Sequence, residues 1–248
     1  MFLIEQQGTM LYKQIKSKFL KENLLLKIYK PKSYSPLYKY NICVMLDGDD
    51  YYKLGQITSI SDQLHDKHQI ENTIFVGIHY NNIRDRRMKY HPQGEKRMEF
   101  MRFLAHEVIP FLDQKFSTFM MTHTRALIGE SLAGTSALMT VLKYPHTIGK
   151  VIMQSPYVDQ TVLQTVADYQ PIKSIDLYHS IGTNETAVQI TNGLIVDFVE
   201  PNQQLSKLFK KSGTSYQYKE FKNEKHTWKY WQQHIPNALT SMFPKITP

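Results

Sequence analysis

Short apolar runs recur along the chain, separated by longer stretches of helical spacing. The runs at residues 24–29, 41–46, 74–80, 125–129, 150–154, 175–181 and 216–221 have the length of strands. Several, such as Ile74-Phe75-Val76-Gly77-Ile78, are apolar at successive positions, the pattern of a strand covered on both faces. Between these runs apolar residues return at three- and four-residue steps. In 95–116 the stripe is Phe100, Phe103, Leu104, Val108 and Phe111; 132–144, 197–211 and 228–242 read alike. Strands alternating with helices predict an α/β fold, a mostly parallel central sheet with helices on both faces. The first strands follow one another without an intervening helix, which predicts antiparallel pairing at the N-terminal edge. Residues 31–36 are turn-rich. Residues 81–94 show no clear period and read as a long loop, a kind of segment that often serves function. With no repeat, low-complexity tract or linker, residues 1–248 are expected to form one domain.

Composition narrows the function classes. The formal net charge is +8. The lysines are scattered, and there is no zinc-ligand cluster, aromatic nucleic-acid-binding strand or basic heptad helix, so no nucleic-acid partner is expected. No stretch reaches the roughly 18 apolar residues of a membrane helix, and the N-terminus has no basic start followed by an apolar core. A cytoplasmic protein without membrane contact is the expectation. The single Cys43 lies in the run Ile42-Cys43-Val44-Met45-Leu46 and reads as a small buried hydrophobe.

The strongest chemical signal is Gly129-Glu130-Ser131-Leu132-Ala133-Gly134, preceded by the apolar Ala126-Leu127-Ile128 and followed by a helical segment. A serine on a tight turn between strand and helix needs small residues two positions away on either side. It also places backbone N–H groups of a helix N-terminus beside a developing oxyanion. A serine hydroxyl needs a base. Downstream, His179 falls within a strand pattern and His234 within a helical one, whereas His226 follows the last strand and precedes the last helix. A carboxylate that orients this histidine belongs after an earlier strand. Glu185, in Gly182-Thr183-Asn184-Glu185, is well placed; Asp159 and Asp197 compete, the latter with the look of a first-turn helix acid. A second oxyanion donor would come from the loop after an early strand, and the backbone N–H of Asp49 in Asp47-Gly48-Asp49-Asp50 is the candidate. That acidic turn lacks the spacing and closing Glu of a calcium loop, and His65-Asp66-Lys67-His68 reads as a solvated helix face, so no metal is assigned.

These stretches together resemble the putative-esterase (esterase D-like) family of α/β hydrolases, and most closely its bacterial siderophore-esterase-like members. The similarity runs in family order through Leu46-Asp47-Gly48, Phe75-Val76-Gly77-Ile78, Phe103 to Phe111, the turn at Ser131, Gly182 to Glu185, and His226-Thr227-Trp228. The resemblance implies an α/β-hydrolase fold, a triad of Ser131, Glu185 and His226, and an oxyanion hole from the backbone N–H groups of Leu132 and Asp49. The chain departs from the family in Glu130, where Gly-His-Ser is common, in Glu224-Lys225 before His226, and in a Glu where many members carry Asp.

The expectation is a serine carboxylic-ester hydrolase working through an acyl-enzyme, without a cofactor, on a small-molecule ester that is compact, aryl or anionic. A siderophore trilactone would qualify. An acyltransferase using the same triad, or a binding protein that retains the fold, are the alternatives. Arg84, Arg86 and Arg87, and Trp228, are candidate substrate contacts; the basic run reads otherwise as a solvated face.

Overall fold

A computed structural model describes residues 7–169, 175–191 and 193–245. The chain runs β1 (Thr9–Lys16), β2 (Asn23–Lys30), β3 (Asn41–Leu46), α1 (Gly48–Lys53), α2 (Ile57–Asp66), β4 (Thr73–Ile78), α3 (Ile83–Tyr90), α4 (Arg97–Phe103) and α5 (Ile109–Lys115). It continues with β5 (Arg125–Glu130), α6 (Ser131–Lys143), β6 (Lys150–Gln154), α7 (Gln160–Ala167), β7 (Asp176–Gly182), β8 (Val188–Gln189), β9 (Ile195–Val196), α8 (Val199–Ser212), β10 (Ser215–Phe221) and α9 (Trp228–Met242). Eight strands form one sheet in the order β1-β2-β4-β3-β5-β6-β7-β10. β1 pairs antiparallel with β2, and β2 antiparallel with β4. From β4 to β10 every pair is parallel. This is the doubly covered sheet with an antiparallel N-terminal edge that the apolar pattern implies.

The central strands are apolar at successive positions because each face meets its own core. On one face Ile42, Val44, Leu46, Val76, Leu127 and Val151 pack with α4, α5, α6 and α8. On the other, Cys43, Met45, Phe75, Ala126, Ile128 and Ile152 pack under α2 and α9. Cys43 is fully buried, and burial pushes its thiol far above the ordinary range, so it behaves as a hydrophobe.

Beyond short elements that the sequence reading did not propose, such as α7 and the β8–β9 pair, three places differ from it. β1 is an additional edge strand whose Leu11 and Ile15 alone lean on the larger core, so its apolar signal is weak. The helix expected at 95–116 is α4 and α5 joined through a π-helical turn, Leu104–Val108, just before Pro110. Proline cannot donate the next helical hydrogen bond, and a wider turn accommodates the loss. The expected long loop at 81–94 contains α3, capped by the Asn82 side chain accepting from the Asp85 N–H. No apolar period marks α3 because what it buries is Asp85, Lys89 and Tyr90. The Lys89 ammonium, 2% exposed, lies between Asp85 at 2.8 Å and Glu22.

Candidate active site

β5 ends at Glu130 and α6 begins at Ser131, with one residue making the turn. Ser131 has φ 50°, the left-handed region that a side chain adopts only when its surroundings hold it there. The packing explains the small neighbours. A Cβ on Gly129 would stand 2.4 Å from the carbonyl carbon of Ala133, and one on Gly134 would stand 2.9 Å from the Gly129 oxygen. Strand and helix therefore touch through backbone, and Ser131 is thrust out of the turn into a cavity.

His226 lies between β10 and α9, and its Nε2 is 3.0 Å from Ser131 Oγ. Its Nδ1 is 2.6 Å from Glu185 Oε2. Glu185 is 1% exposed, and its other oxygen accepts from the Gly182 N–H at 2.8 Å and the Ser155 hydroxyl at 2.7 Å. Ser155, directly after β6, accepts in turn from the Trp231 indole N–H at 3.0 Å. The imidazole is gripped by Phe198, 4.4 Å between centroids, and by Trp231 edge-on at 4.7 Å. The segment between Glu185 and Phe198 is closed at its base by a hydrogen bond from the Phe198 N–H to the Glu185 carbonyl, 2.9 Å. It carries the β8–β9 hairpin over the cavity.

The competing groups are occupied elsewhere. Buried His179 lies between Tyr216 at 2.7 Å and Asn202 at 2.6 Å, and burial lowers its pKa to about 4. His234 stacks on Phe221 and pairs with Glu224. Asp159 caps α7 and Asp197 caps the start of α8. His65, read from sequence as solvated, is buried: Nδ1 meets the Ser61 carbonyl at 2.7 Å, and Nε2 accepts from the Thr73 N–H. The polar stretch around it hid this inward role, while His68 is exposed.

The cavity holds about 510 Å³. Ser131, Leu132 and His226 line it, with Tyr157, Phe198 and Trp231 supplying aromatic wall and Val188, Ile190 and Val196 apolar roof. Leu132 lies in the first turn of α6. Asp49 lies in the first turn of α1, its carboxylate bound to Lys27 at 2.6 Å, and it is not among the wall residues. Arg86 and Arg87 line the cavity, and Arg84 does not. Arg84 faces a neighbouring concavity. Arg86 donates from Nε to Asp47 Oδ2 at 2.8 Å, and its Nη2 is 2.5 Å from the same oxygen and 3.6 Å from Glu130. Exposed Arg87 lines the cavity beside His91 and Gln93, with no ion-pair partner among the described residues.

Trp228 is not part of the wall. It packs edge-on against Tyr51 at 4.9 Å, on the far side of Trp231. Trp231, which sequence reasoning missed, is the indole that reaches the histidine. The helical offset of three from Trp228 was the available signal, since it marks the same face of α9. Asp47, Asp50 and Glu130 bring carboxylate oxygens within 4.8 Å of one another, a donor set of the kind that holds cations. Here the Arg86 guanidinium already contacts two of the three.

Comparison with known proteins agrees with this architecture. A protein of Bacillus subtilis (strain 168) described as uncharacterized protein YjcH is 44% identical over 237 residues, spanning 96% of this chain and 98% of that one. Among solved structures, a ferulic acid esterase superposes with TM-score 0.79 at 15% identity, covering 96% of this chain and 98% of its own. The enterobactin esterase FES of Shigella flexneri superposes with TM-score 0.81 at 16% identity, covering 94% of this chain, which spans 58% of that one. An IroE-like serine hydrolase of Shewanella oneidensis matches at TM-score 0.76 and 19% identity, over 95% of this chain and 80% of that one. The model of the esterase family described as "Putative esterase" matches residues 17–242, and the chain belongs to that family.

Proposed function

We propose that the protein hydrolyses carboxylic esters through an acyl-enzyme formed on Ser131. The observation that carries this reading is the continuous line Glu185–His226–Ser131, at 2.6 and 3.0 Å, ending at a strained serine in a cavity. His226 Nε2 takes the proton as Ser131 Oγ attacks the ester carbonyl, then gives it to the departing alcohol. Glu185 holds the tautomer and stabilises the imidazolium. Water repeats the sequence to release the acid. The Leu132 and Asp49 N–H groups, each in the first turn of a helix, stabilise the oxyanion.

The preferred substrate is a compact ester bearing an aryl or anionic group, a class that includes siderophore trilactones. The aromatic walls favour aryl stacking, and Arg87 offers an unspent cation at the rim. The names of the enterobactin and ferulic acid esterases point the same way. A fluorophosphonate probe should label Ser131 alone. Ser131→Ala should abolish labelling and lower kcat by about 10⁴ or more on short aryl esters, with the fold intact by circular dichroism. An unchanged esterase rate in that variant would remove the reading.

A further inference from the structure

We propose that Ser155, backed by Trp231, is a positioning residue that locks Glu185 and His226 into the one protonation pattern in which Ser131 can be activated. The proposal rests on the reading of Ser131 as nucleophile and deepens it.

The argument is one of donor direction. An indole N–H donates and cannot accept, so Trp231 Nε1–H, 3.0 Å from Ser155 Oγ, makes that oxygen an acceptor. A serine hydroxyl has a single proton, and with one lone pair used by the indole it points that proton at Glu185 Oε1, 2.7 Å away. The Gly182 N–H, another obligate donor, reaches the same oxygen at 2.8 Å. Oε1 thus faces two donors and has no direction left in which to carry a proton of its own. That leaves Oε2 turned to His226 Nδ1 at 2.6 Å. Nδ1 then carries the hydrogen, and the Nε2 lone pair faces Ser131 Oγ. The two donors on Oε1 thereby choose which oxygen serves the histidine.

Three further observations fit a purpose other than packing. Ser155 has φ 47°, a left-handed conformation that glycine would occupy without strain, yet a hydroxyl-bearing residue stands there. Its N–H is spent on the Ser180 carbonyl at 2.7 Å, so only the side chain is available to the acid. The Trp231 carbonyl is also held, by Gln154 Nε2 at 2.8 Å, and Gln154 Oε1 accepts from Tyr51 at 3.0 Å. The indole is therefore anchored from the core side while its ring packs on the imidazole.

Ser155→Gly provides the test, because it deletes the hydroxyl at a backbone conformation that suits glycine; Ser155→Ala is the second variant. Both should keep the wild-type KM for a short aryl ester and lose about 10- to 100-fold in kcat, the worth of one charge-assisted hydrogen bond. Fluorophosphonate labelling of Ser131 should slow by a similar factor, and the low-field proton resonance of the His226 Nδ1–H should move upfield. Ser155→Gly should unfold at no lower a temperature than Ser155→Ala, since glycine suits the φ of 47° that alanine does not. Wild-type kcat and labelling rate in both variants would overturn the proposal, and wild-type kcat in Trp231→Phe would overturn the part assigned to the indole. Failure of the nucleophile reading itself would show differently, as a wild-type protein that the probe does not label at Ser131.

Discussion

Replacing Arg86 by methionine removes the one guanidinium from a cluster of three carboxylates. The Arg86 side chain is 11% exposed and that of Asp47 is 1% exposed, so their contact belongs to the interior. Exposed ion pairs contribute about 0–1 kcal/mol. Removing one partner of a buried pair costs about 3–5 kcal/mol, because the remaining charge is stranded where water cannot reach it. Against a total stability of about 5–15 kcal/mol that is a large share. For a chain of this length it translates into a fall in Tm of about 6–20 °C. The loss has a definite dependence on pH. Burial, and then the Asp47 charge beside it, holds the Glu130 carboxyl well above the usual carboxylate range, while Arg86 pulls it down. An acid whose pKa is higher folded than unfolded costs nothing while both states are protonated, and the folded state loses stability as pH rises through the interval between the two values. Without Arg86 that interval widens. The deficit of Arg86→Met relative to wild type should therefore be smaller at pH 5 than at pH 8, and adding Glu130→Gln should recover part of it at pH 8. Thermal unfolding followed by circular dichroism at both pH values measures this. An unchanged Tm at pH 8, or a deficit that grows as pH falls, would refute the assignment of Arg86 as counter-ion.

Two further predictions separate chemistry from recognition. Glu185→Gln keeps the shape of the acid but favours the wrong histidine tautomer, so kcat should fall by up to about 10⁴, less than in Ser131→Ala; near-normal turnover alongside an inactive Asp159 or Asp197 variant would reassign the acid. Arg87→Glu should change stability by no more than the about 0.5 kcal/mol of surface substitutions, and raise KM for an anionic aryl ester but not for a neutral one. Salt should mimic it in the wild type, since exposed charges are screened over about 8 Å at physiological ionic strength; equal salt dependence for both esters would return Arg87 to a solvated surface.

What the sequence made legible follows from how local each signal is. The central strands declare themselves because both faces are apolar, as Ile42 and Cys43 on β3 show by belonging to opposite cores. The turn at Ser131 is readable because its steric demand falls on Gly129 and Gly134, within three residues of the serine. His226 and Glu185 are readable by their places after strands. The misses are non-local. α3 escapes because its inward face is charged, and a periodicity of apolar residues cannot register a buried Lys89. Arg86 looks like its neighbours Arg84 and Arg87 until Asp47, 39 positions away, is brought beside it. Trp228 and Trp231 look alike in sequence, because only the docking of α9 reveals which indole reaches the imidazole.

The two feet of the hairpin-bearing segment, Glu185 and Phe198, are tied together by a backbone hydrogen bond, and each also touches His226. Val188, Gln189, Ile190, Thr191, Leu194 and Val196 between those feet line the cavity, and among the described residues the contacts to the histidine come from the feet themselves. The excursion can therefore change length without loosening its anchorage, and closing a flexible loop of twice the length costs only about 0.6 kcal/mol more. Roof length is thus a nearly free variable for this scaffold: the size of alcohol or acid it admits can drift while the machinery beneath stays still.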